Sequence, residues 1–229
     1  MDFILNGLFK AFELLINFDP ETFSAIYATV RASIISMTVS LIIGLPIGFF
    51  IGFFSFPCKV QIRTIVDTLQ ALPTVLIGLL VYAFLTRRGP LGHMGLLFTV
   101  QGIAIGQSIL ALPIVIALTA SAVESMDQNL SITLISLGAN RRQVFLSTLW
   151  ETRFGILAAF VNAYGRVLTE VGISMMVGGN IKWQTRTITT AIALETNKGE
   201  FACGISLGLV LLFIAFTVNF ILSFLRNKT

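Results

Sequence analysis

Long apolar runs separated by short polar stretches dominate the chain. A helix needs about 20 residues to cross a hydrocarbon core of ~30 Å. Five runs reach that length, at residues 32–54, 62–85, 102–123, 155–177 and 201–225. Lipid offers no hydrogen bonds to an open backbone, and no run has the strict alternation of a β-barrel strand. The pattern therefore predicts an all-α polytopic membrane protein with five transmembrane helices.

The first 18 residues follow a different, amphipathic pattern. Six apolar side chains recur there at helical spacing, with polar residues on the opposite side: Phe3, Ile4, Leu8, Ala11, Phe12 and Leu15. Such a helix lies in the membrane interface or packs on the rim of a bundle, and the pattern leaves both open. Its acidic residues and interrupted apolar stretch are not those of a cleavable signal. We expect residues 1–18 to be a separate helix and residues 19–229 to form the transmembrane domain.

Composition supports a membrane location and excludes several classes of protein. Of the 229 residues, 11% are charged, against roughly 25% in an ordinary soluble domain. The 15 Lys and Arg residues are scattered, so nucleic acid is not an expected partner although the net charge is +4. Two cysteines and one histidine supply neither a disulfide framework nor a multi-histidine metal site. We expect no bound metal and no cofactor in this subunit.

Glycines and prolines at set positions mark how the spans pack. Gly44, Gly48 and Gly52 repeat at intervals of four residues in the first span, a spacing that allows close helix approach. Pro46 and Pro113 fall inside apolar runs, and Pro73 lies within the second run. Such prolines act as hinges or as static kinks, and the sequence does not separate the two.

The segment between the third and fourth spans, residues 124–154, is too polar to cross a membrane but is periodic. Leu130, Leu134 and Leu137 fall on one helical face, and Val144, Phe145 and Leu149 share a second face; Gly138 lies between the two sets and permits a sharp reversal. The pattern predicts two short helices that form a compact knob. The knob either docks its apolar faces in a groove of a partner or merely connects two spans.

The fourth span carries a polar stripe. Asn162, Arg166, Glu170 and Ser174 repeat every four residues and would share one helical face. A charge at the centre of a span costs about 2.5–3.5 kcal/mol by insertion scales, so we expect Arg166 and Glu170 to form an ion pair. The stripe is interpreted as a gate or clamp beside a translocation path; the alternative is a pair that only sets the register of the bundle.

Within residues 124–154, the string L-I-S-L-G-A-N-R-R-Q-V-F resembles the cytoplasmic loop of ABC-importer permeases, whose pattern is Glu-Ala-Ala, three residues and Gly. Gly138 and Ala139 match, whereas Ile132, Thr133 and Leu134 occupy the Glu-Ala-Ala positions. The resemblance implies that residues 124–154, here called the coupling segment, are cytoplasmic and insert into a cleft of a separate ATPase subunit. The implied contact residues are Leu130, Thr133, Leu134, Leu137, Gly138, Ala139, Arg141 and Phe145.

The string R-V-L-T-E-V-G-I-S-M-M-V-G-G-N-I, Arg166 to Ile181, resembles the permeases for molybdate, sulfate and tungstate, including Gly178, Gly179 and Asn180 at its end. The stretch Thr185 to Thr196 and the string A-L-P-T-V-L-I-G-L-L-V-Y resemble the tungstate branch. The resemblance implies the transmembrane domain of a type I (MetI-like) ABC importer in a bacterial or archaeal plasma membrane. It also implies a homodimer, ATPase subunits that hold the ATP, and an extracytoplasmic tungstate-binding protein.

These observations favour the permease subunit of a tungstate importer that hydrolyses nothing itself, since the chain has no Walker-type glycine-rich loop ending in Gly-Lys-Ser/Thr. Molybdate or another oxyanion is the alternative substrate. A channel or secondary transporter needs intramembrane carboxylates, for which Glu170 is the one candidate. A membrane enzyme needs clustered chemistry, and His93 stands alone. The loop cations divide almost evenly and lean toward an outside N-terminus and a cytoplasmic C-terminus.

Overall fold

The computed structural model describes residues 2–126 and 133–227, so Leu130 and Ile132 of the expected coupling segment lie outside the described residues. The helices run in the order α1 (Asp2–Ile16), α2 (Pro20–Phe53), α3 (Lys59–Leu69), α4 (Thr74–Leu85), α5 (Val100–Glu124), α6 (Arg141–Glu151), α7 (Arg153–Leu168), α8 (Gly172–Gly178), α9 (Ile188–Asn197) and α10 (Phe201–Asn227). A 3₁₀ turn at Gly92–Met94 precedes α5.

Helices α2 and α5 form the central packed pair. Asp19 caps α2 by accepting the Thr22 backbone N–H at 2.8 Å, and Pro20 occupies the first turn. A Cβ added at Gly48 would lie 2.7 Å from the Ile116 carbonyl oxygen, so the two backbones are in contact. The glycine spacing in the first span therefore has the packing role that was expected. Helix α2 begins 12 residues before the predicted first span, because Pro20 starts it.

Two predicted spans are broken helices. The run 62–85 is divided into α3 and α4, which meet at an angle of 92°. The run 155–177 is divided into α7, which ends at Leu168, and α8, which begins at Gly172. Hydropathy averaged over a whole run does not locate either break, although α3 is much more polar than α4. At the first break the Pro73 nitrogen has no hydrogen to donate, and at the second Gly172 begins the new helix.

Helix α1 packs along α10. A Cβ added at Gly7 would lie 2.6 Å from Ile205 Cγ2, so the Ile205 side chain packs directly on the backbone of α1. Phe9 and Phe12 on the remaining surface are 73% and 64% exposed. The N-terminal helix thus contacts the bundle through α10, and Phe9 and Phe12 face away from that contact.

Within the described residues, three helices are long and apolar enough to cross a membrane, and the number rises to five if the bent pairs α3–α4 and α6–α7 each count as one span. The unbroken three are Pro20–Phe53, Val100–Glu124 and the part of α10 from Phe201 to Phe220. They contain most of the predicted first, third and fifth spans. The prediction of an all-α polytopic fold is confirmed.

Candidate translocation face and coupling segment

The polar row on α7 is exposed on the surface of the protomer. Asn162 and Arg166 are exposed, and the Asn162 side chain donates to the carbonyl of Ala158 at 2.8 Å. None of the ion pairs among the described residues includes Arg166. Arg166 is 13 residues from the start of α7, about 20 Å along the helix axis. A guanidinium at this depth requires water or another polar surface against it.

The predicted Arg166–Glu170 ion pair is wrong. The pair needs a continuous helix to bring residues four apart onto one face, and α7 ends at Leu168. Glu170 is instead 4% exposed, and its Oε1 accepts the backbone N–H of Ile173 at 3.0 Å. The hydroxyls of Thr189 and Ser174 donate to its carbonyl oxygen at 2.9 and 3.4 Å. Glu170 therefore fastens the break between α7 and α8 to α9.

The Gly-Gly-Asn motif forms the far end of α8. Gly178 is packed so closely that an added Cβ would lie 2.6 Å from Ile103 Cδ1, and Gly179 has a φ of +70° that a side chain would strain. The Asn180 side chain accepts the Arg186 Nε–H at 3.2 Å. These three residues shape the loop between α8 and α9 at the end of the bundle opposite the coupling segment.

That loop is tied to the start of α2. Glu21, in the first turn of α2, pairs with Lys182 at 2.6 Å and also with the Arg186 guanidinium. The side chain of Arg186 is 14% exposed and that of Glu21 is 40% exposed. A cavity of about 450 Å³ lies beside them, with Asp19, Glu195 and Lys198 also in its wall. Three cationic and three carboxylate side chains line this cavity, so their formal charges sum to zero.

The coupling segment has the two-helix form that the sequence predicts. Residues 133–136 are helical, and Gly138 follows with a φ of +86°. The Ala139 N–H bonds to the Leu134 carbonyl and the Gly138 N–H to that of Ile135, both at 2.9 Å, which is a Schellman helix end. Asn140 and Gln143 then form a capping box that starts α6. Thr133, Gly138 and Arg141 are exposed, and Leu134 and Ala139 are half-buried.

The second apolar face predicted on the knob does not point outward as a whole. Val144 is 5% exposed, and the ring of Phe145 contacts those of Phe49 and Phe53 on α2, with centroids 4.8 and 5.9 Å apart. Helix α6 therefore turns Val144 and one side of the Phe145 ring toward the aromatic C-terminal end of α2, whereas Phe145 and Leu149 are still 37% and 40% exposed. The large apolar side chains left more than half exposed on the segment are Ile135, Leu137, Leu146 and Trp150.

An ion-pair cluster joins α3 to the end of α5, where the coupling segment begins. Lys59 Nζ lies 3.1 Å from one carboxylate oxygen of Glu124, and Arg63 Nη2 lies 4.0 Å from the other. Arg63 also pairs with Asp67 at 3.6 Å and donates to the Ser121 hydroxyl. The predicted second span, residues 62–85, contains Arg63 and Asp67, but the sequence prediction did not pair them with residues elsewhere in the chain.

Sequence reasoning also missed two partners of the site residues, Thr189 and Phe49. Thr187 and Thr190, three residues apart, form a capping box at the start of α9, and Thr189 lies between them in the sequence. That spacing could have indicated where the Thr189 hydroxyl would be held. Phe49 sits in a run of phenylalanines near the end of the first span, and nothing in that run indicates which ring meets the coupling segment.

Among the described residues, no group of three or more His, Cys, Asp or Glu side chains is placed to hold a metal ion.

Comparisons with known proteins agree with this architecture. The structure superposes on a membrane protein chain of the inward-facing MetNI methionine ABC transporter with a TM-score of 0.74, at 17% identity, over 91% of this chain and 96% of that chain. The match establishes the fold, and the prediction of a type I ABC importer transmembrane domain is confirmed.

Two relatives are also similar to this chain in amino-acid sequence. The tungstate uptake system permease protein TupB of Campylobacter jejuni is 50% identical over 221 residues, 96% of this chain and 92% of the relative. TupB of Peptoclostridium acidaminophilum is 35% identical over 228 residues and the full length of both proteins. A family model, that of the binding-protein-dependent transport system inner membrane component, matches residues 44–229. The chain belongs to this family of multi-pass membrane permeases, as a transport component.

Proposed function

We propose that this protein is the permease subunit of an ATP-driven importer of tungstate. The observation that carries the proposal is the 50% identity to the Campylobacter jejuni tungstate permease over nearly the whole of both chains. Molybdate is the competing substrate, since the two dianions have the same charge and tetrahedral shape. The permease does not hydrolyse ATP; the nucleotide binds to separate ATPase subunits, and an extracytoplasmic tungstate-binding protein delivers the anion.

The path lies between two copies of this chain. The support for a homodimer is the exposed row of Asn162 and Arg166, which a lone protomer would place against lipid at a cost of about 2.5–3.5 kcal/mol for the charge. A second copy related by a two-fold axis turns this row toward its own equivalent and encloses water between them. In this arrangement Arg166 faces the path as a cation, and Glu170 and Ser174 hold the broken helix that borders it.

The coupling segment faces the cytoplasm, with the N-terminus outside and the C-terminus inside. Its exposed apolar residues, above all Leu137 at 79% exposure, form the surface that enters the ATPase cleft. Closure of two ATPase subunits on ATP moves the segment, and the membrane helices open outward to receive the anion. Thr133, Gly138 and Arg141 lie on the same exposed turn.

The experiment is uptake of isotopically labelled tungstate by cells that lack this permease and by cells in which it has been restored. We expect restored cells to accumulate tungstate from nanomolar medium, with sulfate in excess having no effect. Stronger inhibition by unlabelled molybdate than by unlabelled tungstate would favour the molybdate alternative. Equal uptake in both strains would contradict the proposal.

A further inference from the structure

The contact between the coupling segment and α2 has a consequence for how ATPase movement reaches the membrane helices. We propose that Phe145 is a positioning residue that transmits displacement of α6 to α2 and is not an anchor in the ATPase cleft. The inference rests on the proposed function, because it requires residues 124–154 to contact an ATPase.

The first support is the direction in which α6 faces. Its Val144 and Thr148 are 5% and 0% exposed, and Phe145 meets Phe49 edge to face with ring centroids 4.8 Å apart. Phe49 is itself 5% exposed. The Phe145 ring is 37% exposed, and its contact with Phe49 occupies the side toward α2. Leu137 precedes the Gly138 turn and, at 79% exposure, is the more open of the two to another protein.

The second support is the rigidity of the element that Phe145 touches. Phe49 and Phe53 lie one turn apart near the end of α2, and their own rings stack at 5.5 Å. The glycines on this stretch press α2 against α5: a Cβ at Gly52 would lie 2.6 Å from Val123 Cβ, and one at Gly48 would lie 2.8 Å from Thr119 Cβ. A push on Phe49 therefore moves α2 and α5 as one unit, because close-packed backbones do not deform independently.

The third support is the bend on the other side of α6. Helices α6 and α7 meet at an angle of 51° at Thr152, so a displacement along the axis of α6 is not directed along the axis of α7. The contact between Phe145 and Phe49 carries a displacement of α6 to α2 and α5, and the covalent connection from α6 to α7 does not. It meets α2 directly, whose first turn carries the Glu21 ion pairs at the opposite end.

The test uses the whole transporter, with permease, ATPase and binding protein assembled in lipid nanodiscs. The variants are Phe145→Leu, Phe49→Leu and the double substitution; Phe213→Leu on α10, at a ring that is 64% exposed, is the matched control. Leu137→Ala represents loss of docking. The readouts are the ratio of ATPase to permease after purification and the stimulation of ATP hydrolysis by tungstate-loaded binding protein.

We expect both single variants to keep the wild-type subunit ratio while stimulation falls by about fivefold or more, the lower range of measured allosteric couplings. The double variant falls no further than either single one, since all three remove one contact. Phe145→Tyr retains a ring and more than half of the stimulation. Leu137→Ala loses the ATPase from the complex, and Phe213→Leu behaves as wild type.

Two results would overturn the inference: release of the ATPase by Phe145→Leu as complete as that by Leu137→Ala, or full stimulation in both single variants. A drop for Phe145→Tyr equal to that for Phe145→Leu also counts against it. Failure of the proposed function gives a different result, because the wild-type permease itself then purifies without any ATPase or shows no stimulation by tungstate-loaded binding protein. Monodisperse elution of each variant on size exclusion confirms that the comparison is between folded proteins.

Discussion

The carboxylate Oε1 of Glu170 lies 3.0 Å from the backbone nitrogen of Ile173 and accepts its hydrogen bond across the break between α7 and α8. The same residue receives the Thr189 hydroxyl on its carbonyl oxygen. The side chain and the backbone carbonyl of Glu170 thus connect α7, α8 and α9 at the break in the predicted fourth span. Glu170 therefore holds the two sides of the break together, and substitutions of Glu170 distinguish that structural role from a role of its charge.

Glu170→Ala is expected to destabilise the permease. The change leaves the buried Ile173 N–H without an acceptor, which costs about 1–3 kcal/mol. Glu170→Gln keeps an oxygen at the same place, so its stability and tungstate uptake are expected to stay close to wild type. Thermal unfolding of the purified proteins and uptake in cells are the measurements. Lost uptake in a Glu170→Gln protein of normal stability would show that the charge itself is required.

Gly48→Ala is expected to separate α2 from α5. The new methyl group would lie 2.7 Å from a backbone oxygen that has no room to move, and overpacking of this kind costs about 1–3 kcal/mol. Gly208→Ala on α10 is the control, because no atom lies within 4 Å of the added carbon. Melting temperatures in detergent compare the two. Equal melting temperatures would contradict the close packing of the central pair.

Hydropathy alone located the membrane segments and could not locate the breaks in them. Pro46 and Pro113 stay inside continuous helices, whereas Pro73 stands at the bend between α3 and α4. The residue type is the same in all three places. Neighbouring helices decide whether the freed carbonyl is accommodated or the helix ends, and a single sequence does not say which neighbours those are.

The conformation of short segments could be predicted from the sequence, whereas the residues that those segments contact could not. The reversal at Gly138 follows from the residue that a left-handed helix end requires, and the structure has it there. The apolar face of α6 was also visible, but its contact is Phe49, which lies 96 residues earlier in the chain. Periodicity reports which residues share a face and not what that face meets. The Arg166–Glu170 pair failed for a related reason, since the spacing assumed a helix that the fold interrupts.

Arg166→Gln is expected to reduce tungstate uptake by roughly tenfold or more, because it removes the cation that the proposed path presents to a dianion. Arg88→Gln, at an exposed loop residue, is the matched control and is expected to leave uptake within about twofold of wild type. Initial uptake rates at saturating binding protein distinguish the variants. Normal uptake by Arg166→Gln would place the anion elsewhere.

Glu21→Gln is expected to weaken the link between α2 and the loop after α8 in a salt-dependent way. Its partners Lys182 and Arg186 lie at a partly exposed surface, so the cost is about 0–1 kcal/mol and falls as salt screens the charges. Melting temperatures at low and at high ionic strength measure it, and Glu200→Gln, at an exposed carboxylate, is the control. A difference that does not shrink with salt would argue against an electrostatic link.

The most direct test of the central claim is accumulation of tungstate inside proteoliposomes that contain this permease, its ATPase and the loaded binding protein. The anion is supplied on the side opposite the ATPase. We predict accumulation above the outside concentration that requires ATP, stops when the ATPase is omitted and exceeds that of sulfate. Tungstate that only equilibrates across the membrane, or that accumulates without the ATPase, would contradict the account.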